Sequence, residues 1–213
     1  MWAADLGDLD RAEEVALEAW DAFGRLDALV NNAAIPKRTP VTKLTPADVT
    51  HVMDVDFHSP VRMALAVMPR MLERGRGQIV FVSSLGGRIP IANEAAYNAA
   101  KFAMCGFAEA MAVDLTGTPI EVKLVLPGPI DTEIYDQPDN VPALMEAEKI
   151  PPAECAAELA DAIEDGGFEY NIPAMYPGGI DPKALVIGKT KNCDQYVRGM
   201  GEYARSLREQ SAS

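Results

Sequence analysis

A three-layer α/β fold around a parallel sheet is what this sequence predicts, and three observations predict it. Helical spacing alternates with short apolar runs: Val15, Ala16, Ala19, Trp20 and Phe23 form a stripe that precedes the run at residues 26–30, and the alternation continues down the chain. The run Ile79-Val80-Phe81-Val82 is continuous in apolar character, as in a buried strand, and Ile120-Glu121-Val122-Lys123-Leu124-Val125-Leu126 reads as a second strand whose partly alternating pattern suggests a less buried portion near its start. The first of them breaks at Ser83-Ser84-Leu85-Gly86-Gly87. A hydroxyl at the end of a parallel strand lies where open α/β sheets place their ligands.

The elements follow in order. Asp8 or Asp10 can cap the first helix, Gly24 stops it, and residues 26–30 form a short buried strand. Thr45-Pro46-Ala47-Asp48 opens a second helical region over 46–74, with Thr45 as cap and Pro46 at the first helical position. Its apolar positions include Val49, Val52, Met53, Val55, Phe57, Val61, Leu65 and Met68, and Pro60 is expected to kink it. Gly75-Arg76-Gly77 turns the chain into the central strand. A helix over 97–116, rich in alanine, ends at Gly117-Thr118-Pro119. After the strand at 120–126 come a short helix over 153–165, stopped by Gly166-Gly167, and a last strand at 168–172. Residues 184–187 read as a brief apolar segment, and 194–213 as a terminal helix with a frayed tail.

Composition sets the class. The 213 residues fit one domain spanning 1–213, 48% hydrophobic and 24% charged, as in a soluble globular protein. A net charge of -13, from 32 acidic and 19 basic residues, disfavours nucleic acid and anionic lipid as partners. Lys37-Arg38 and Lys189-Thr190-Lys191 read as solvated cations. No apolar run reaches the roughly 18 residues that suggest a membrane span, and Met1-Trp2-Ala3-Ala4-Asp5 lacks the pattern of a signal peptide. Cys105, Cys155 and Cys193 show no paired spacing and read as reduced thiols of a cytoplasmic protein. His51, Asp54 and His58 share a helix face, but no further ligand motif accompanies them and no metal site is expected.

The chemistry gathers on Ser84, Tyr97 and Lys101. Tyr97 and Lys101 stand four residues apart and share one helix face. A phenol, a hydroxyl donor and a cation able to lower the phenol's pKa suit general acid–base work on an oxygen. Ser84 lies thirteen residues before Tyr97. Asn31-Asn32-Ala33-Ala34 comes earlier, and Pro127-Gly128-Pro129-Ile130-Asp131-Thr132 later.

In that order and spacing these segments resemble the short-chain dehydrogenase/reductase family. The resemblance implies a Rossmann-like sheet and hydride exchange between an alcohol or carbonyl and NAD or NADP. It implies Ser84, Tyr97 and Lys101 as catalytic residues, together with Asp56, which could position a water or pair with Lys101. Asp56 stands where the family usually carries an active-site Asn, which adds a charge and removes an amide donor. On the cofactor it implies Asp5 and Leu6 beside the adenine, Asn32, Ala33 and Ala34 along the ribose, Lys101 with Tyr97 at the nicotinamide ribose, and Pro127, Gly128, Ile130 and Thr132 at the nicotinamide. Ala34 replaces the family's Gly, at about 1 kcal/mol if the position needs positive φ.

Residues 133–150 resemble a variable substrate lid. Ile134, Tyr135, Val141, Leu144 and Met145 give it an apolar inner face, which suits a small uncharged or partly apolar carbonyl or alcohol. Helices 46–74 and 97–116 would pair subunits in a homo-oligomer. No glycine-rich phosphate motif occurs in the chain. The resemblance therefore implies an N-terminally truncated domain, lacking a β-α-β-α-β half of roughly fifty to sixty residues. A late gene start is the favoured origin, with a fragment or a real loss as the others. The alternatives to an oxidoreductase are a non-catalytic Rossmann remnant retained for binding or subunit contacts, and an epimerase or dehydratase using the same Tyr–Lys pair.

Overall fold

The computed structural model describes residues 2–144 and 147–211. Four parallel strands form one sheet in the order β1-β2-β3-β4: β1 Ala28–Asn31, β2 Gly77–Val82, β3 Ile120–Pro127 and β4 Glu169–Ile172. The register sets Val30 beside Val80, Val82 beside Val125 and Pro127 beside Ile172. Parallel neighbours need crossovers, and helices supply them.

Each strand's alternation feeds two apolar layers. Leu29, Ile79, Phe81, Val122, Leu124 and Leu126 face one side. There they pack on Ala16 of α1 (Leu9–Phe23), Ala64, Val67 and Met71 of α3 (Ser59–Arg74), and Met104, Cys105, Ala108 and Met111 of α4 (Ala95–Asp114). Val80, Val125 and Ile172 face the other side, against Leu159 and Ile163 of α5 (Pro152–Glu164). The expected three layers are present. The second layer stops short of β1, where Val30 is 38% exposed at the sheet's open edge.

Local signals decide the helix ends. Asp8, not Asp10, caps α1 by accepting from the Arg11 N–H at 3.1 Å. Thr45 caps α2 (Pro46–Met53) in a capping box with Asp48: the Thr45 side chain accepts the Asp48 N–H, and Asp48 accepts the Thr45 N–H. The continuous helix expected over 46–74 is interrupted by one wide turn, Asp54–His58, in which the Ser59 N–H donates to the Asp54 carbonyl five residues back. Pro60 has no N–H to offer the Asp56 carbonyl, so the ladder widens instead of kinking.

The apolar segment at 184–187 belongs to a full helix, α6 (Pro182–Lys191), and α7 spans Cys193–Ser211. Among the described residues no helix is long and apolar enough to cross a membrane.

Candidate active site

Four elements bring the site together at the carboxyl ends of β2 and β3. Ser84 follows β2 in extended conformation and caps the short turn Leu85–Gly87, its Oγ accepting the Gly86 N–H at 3.0 Å. The turn lies directly on α4. A Cβ on Gly87 would fall 2.8 Å from the Lys101 carbonyl and 2.6 Å from the Ser83 hydroxyl, so only glycine lets the Ser84 turn approach that closely. Ser83 reinforces the contact by donating to the Lys101 carbonyl at 3.0 Å. Asn98, one residue after Tyr97, donates to the Gly86 and Ile89 carbonyls and accepts the Ile91 N–H at 2.9 Å. Asn98 and Gly87 were missed as site-building residues. A polar Asn in the first turn of an alanine-rich helix was the available signal.

Lys101 is buried, and its Nζ donates to the Val82 carbonyl at 3.3 Å. It stands 3.7 Å from Asp56 Oδ2 and 5.5 Å from the centre of the Tyr97 ring. The wide turn carries Asp56 to this place. Asp56 is fully buried, its Oδ1 accepts the Ile35 N–H at 2.8 Å, and its Oδ2 has no hydrogen-bond partner among the described residues.

Electrostatics here differ from the sequence expectation. Lys101 was expected to lower the Tyr97 pKa. Instead burial, the largest cause, drives the phenol above its ordinary value. The nearby Ser84 hydroxyl opposes that rise, and the charges of Asp56, Glu94 and Tyr135 add to it. Lys101 is itself pushed down by burial, and Asp56 pulls it back up. In this arrangement the Tyr97 phenol is held protonated.

Asp56 has a consequence for stability. Burial pushes its carboxyl up to about 6 from an ordinary 3.8, against the pull of Lys101. A carboxyl raised on folding stabilises the fold while protonated. Its contribution is full below the ordinary value and is lost as pH rises through about 6. Asp56→Asn keeps an acceptor for the Ile35 N–H and removes the titration. The loss between about pH 4 and pH 7, on the order of 1–3 kcal/mol, should therefore disappear from the urea-unfolding free energy. Parallel pH curves for the two proteins would contradict this origin.

The residues expected along a cofactor are spread more widely. Pro127 and Gly128 close β3, the Gly128 N–H donating to the Ile172 carbonyl at 2.8 Å. Gly128 is also held by close approach, since a Cβ there would lie 2.6 Å from the Tyr176 ring. Ile130 bridges Ile150, and the Thr132 N–H donates to the Ile130 carbonyl at 2.9 Å. Asn32 and Ala33 are exposed just past β1, with Ala34 partly buried. The conditional cost at Ala34 does not arise from φ, because Asn93, at 66°, is the non-glycine residue with positive φ among those described. Asp5 and Leu6 precede α1, with Asp5 Oδ1 accepting the Gly7 N–H at 2.8 Å.

Two readings of charge change. Arg38, expected to be solvated, is 3% exposed and paired with Glu94 at 2.8 Å, while Lys37 meets Asp48 at 2.8 Å. Lys189 is likewise engaged, donating to the Arg88 carbonyl at 2.8 Å. Of the helix-face histidines, His58 Nδ1 meets Asp54 Oδ1 at 2.9 Å, and no group of three or more potential metal ligands gathers among the described residues. In the segment expected as a lid, Ile134, Tyr135, Val141 and Leu144 are partly buried, and Met145 lies outside the described residues.

Comparison with known proteins agrees with this architecture. Dehydrogenase/reductase SDR family member 7B of Rattus norvegicus is 37% identical over 131 residues, 61% of this chain and 40% of that protein. Retinol dehydrogenase 8 of Bos taurus is 43% identical over 110 residues, 52% of this chain and 35% of that protein. The chain thus spans less than half the length of these curated relatives. The crystal structure of a metagenomic short-chain oxidoreductase in complex with NADP superposes with a TM-score of 0.63 at 29% identity, covering 80% of this chain and 71% of that one. Residues 1–140 match the family model for short chain dehydrogenase. On that match, the chain belongs to the short-chain dehydrogenase/reductase family.

Proposed function

We propose that the chain forms the catalytic and substrate-binding part of an NAD(P)-dependent oxidoreductase that interconverts an alcohol and a carbonyl. One observation carries this reading: the Tyr97 phenol, with the Ser84 hydroxyl near it, lies beside a Lys101–Asp56 pair buried under the same strand end. The nicotinamide, when bound, supplies or receives the hydride. Ser84 donates to the substrate oxygen and holds it against Tyr97. Tyr97 gives its proton to that oxygen as charge develops on it, which suits a phenol held protonated. Lys101 stabilises the phenolate left behind, and Asp56 keeps the ammonium in place.

The fit to a nicotinamide cofactor differs between its two ends. Tyr97, Lys101 and residues 127–132 suit the nicotinamide end, with Asn32, Ala33 and Ala34 along the ribose and Asp5 and Leu6 toward the adenine. No glycine-rich segment of this chain suits the pyrophosphate. Two features point to further structure beside β1: Val30 is exposed at the edge, and both side-chain polar atoms of buried Asn31 lack partners among the described residues. We infer that a β-α-β unit from outside residues 1–213 pairs there and carries the phosphate loop. The residues at the nicotinamide end suit NAD and NADP equally.

The lid's partly buried Ile134, Tyr135, Val141 and Leu144 favour a small uncharged or partly apolar substrate. The bovine relative's name points the same way, since retinol is an apolar alcohol. A second copy would seat on the outer faces of α3 and α4, where Leu65, Leu72 and Val113 are exposed. The test is carbonyl-dependent oxidation of NAD(P)H by the protein with its sheet completed at β1, using apolar ketones as substrates. Turnover is expected, with preference over keto acids of similar size.

A further inference from the structure

We propose that Arg38 is a positioning residue that latches the segment 132–144 to the start of α4, setting the substrate chamber beside Tyr97. This rests on the oxidoreductase reading for its consequence, but not for its geometry. Arg38 is buried, and its Nε donates to Glu94 Oε1 at 2.8 Å. Glu94 is the residue before α4, three positions ahead of Tyr97. The other contacts of Arg38 reach the lid, about a hundred residues on. Its N–H donates to Asn140 Oδ1 at 2.6 Å, its carbonyl accepts the Val141 N–H at 2.9 Å, and its Nη1 donates to the Val141 carbonyl at 3.4 Å. Its guanidinium lies 5.3 Å from the centre of the Tyr135 ring. One residue, through its backbone and its guanidinium together, therefore ties the segment 132–144 to the residue before α4.

A buried guanidinium–carboxylate pair costs much in desolvation, and removing either partner leaves the other charge uncompensated. The pair is thus a poor source of stability and a strong source of geometry. Its neighbours tie it further. The Thr39 N–H donates to the Asn93 carbonyl at 2.7 Å, and Arg208 of α7 donates to Asn93 Oδ1 at 2.9 Å. The lid's pattern fits a held strap: Tyr135 and Val141 are partly buried, while Pro142 and Ala143 between Val141 and Leu144 are exposed.

Amide hydrogen exchange on the chain itself tests the latch. Arg38→Gln should raise exchange at the Val141 amide by about tenfold or more, with β2 and β3 amides unchanged. If Arg38→Gln also loses protection in β2 and β3, Glu94→Gln decides instead, since it keeps the shape of the carboxyl group. Val141 exchange within about twofold of the parent in the deciding variant overturns the latch, whether or not the protein proves to be a reductase. In the completed enzyme the same variant should raise KM for an apolar ketone by about tenfold while kcat falls much less. An equal loss in kcat with KM unchanged would contradict a positioning role.

Discussion

Tyr97→Phe is expected to lower carbonyl reduction by roughly a hundred- to ten-thousand-fold, the usual range for a positioned proton donor, while cofactor affinity changes little. The reasoning starts from the phenol's surroundings. Burial and the charges of Asp56 and Glu94 hold Tyr97 protonated, with the Ser84 hydroxyl beside it. Phenylalanine fills the same space on α4 without the proton, so the fold and the Lys101–Asp56 pair stay in place. The developing charge on the substrate oxygen then has Ser84 alone to meet it. Stopped-flow traces with equal reduction rates for the two proteins would remove Tyr97 from the mechanism.

Residues 1–213 by themselves are expected to bind NAD(P) no better than about millimolar, some 4 kcal/mol weaker than a micromolar site. The residues suited to the nicotinamide are present, but a pyrophosphate needs convergent backbone N–H groups, and no glycine-rich turn in the chain offers them. The same preparation should associate through the β1 edge, where Val30 is exposed and one side of the strand is unpaired among the described residues. Calorimetry and light scattering decide both points. Micromolar binding by a monodisperse sample would mean that another surface of the chain takes up the phosphates.

The parts of the fold legible in the sequence were those set by local periodicity and short-range chemistry. The apolar runs around Val80 and Leu124 became adjacent central strands, and Thr45-Pro46-Ala47-Asp48 became a capped helix start. Tyr97 and Lys101 did land on one helix beside the turn bearing Ser84. What escaped depended on partners distant in sequence. Arg38 looked solvated beside Lys37 because Glu94 stands 56 residues away and Asn140 stands 102 away. Pro60 signalled a disturbance, but widening and kinking share that signal, and the difference decides where Asp56 points. The rise in the Tyr97 pKa also escaped, because a nearby lysine is visible in sequence whereas desolvation is not. Alpha-helix α6 was missed since Val186, Ile187, Gly188 and Thr190 are weak helix formers held by their surroundings.

Transfer of deuterium tests hydride exchange at this site most directly. The protein with its sheet completed at β1 would be given nicotinamide cofactor deuterated at the transferring carbon, together with an apolar ketone. Deuterium is expected at the carbinol carbon of the product, with transfer nearly abolished in Tyr97→Phe. Bound cofactor that keeps all its deuterium in the presence of the ketones would contradict the oxidoreductase reading and leave a binding role for the fold.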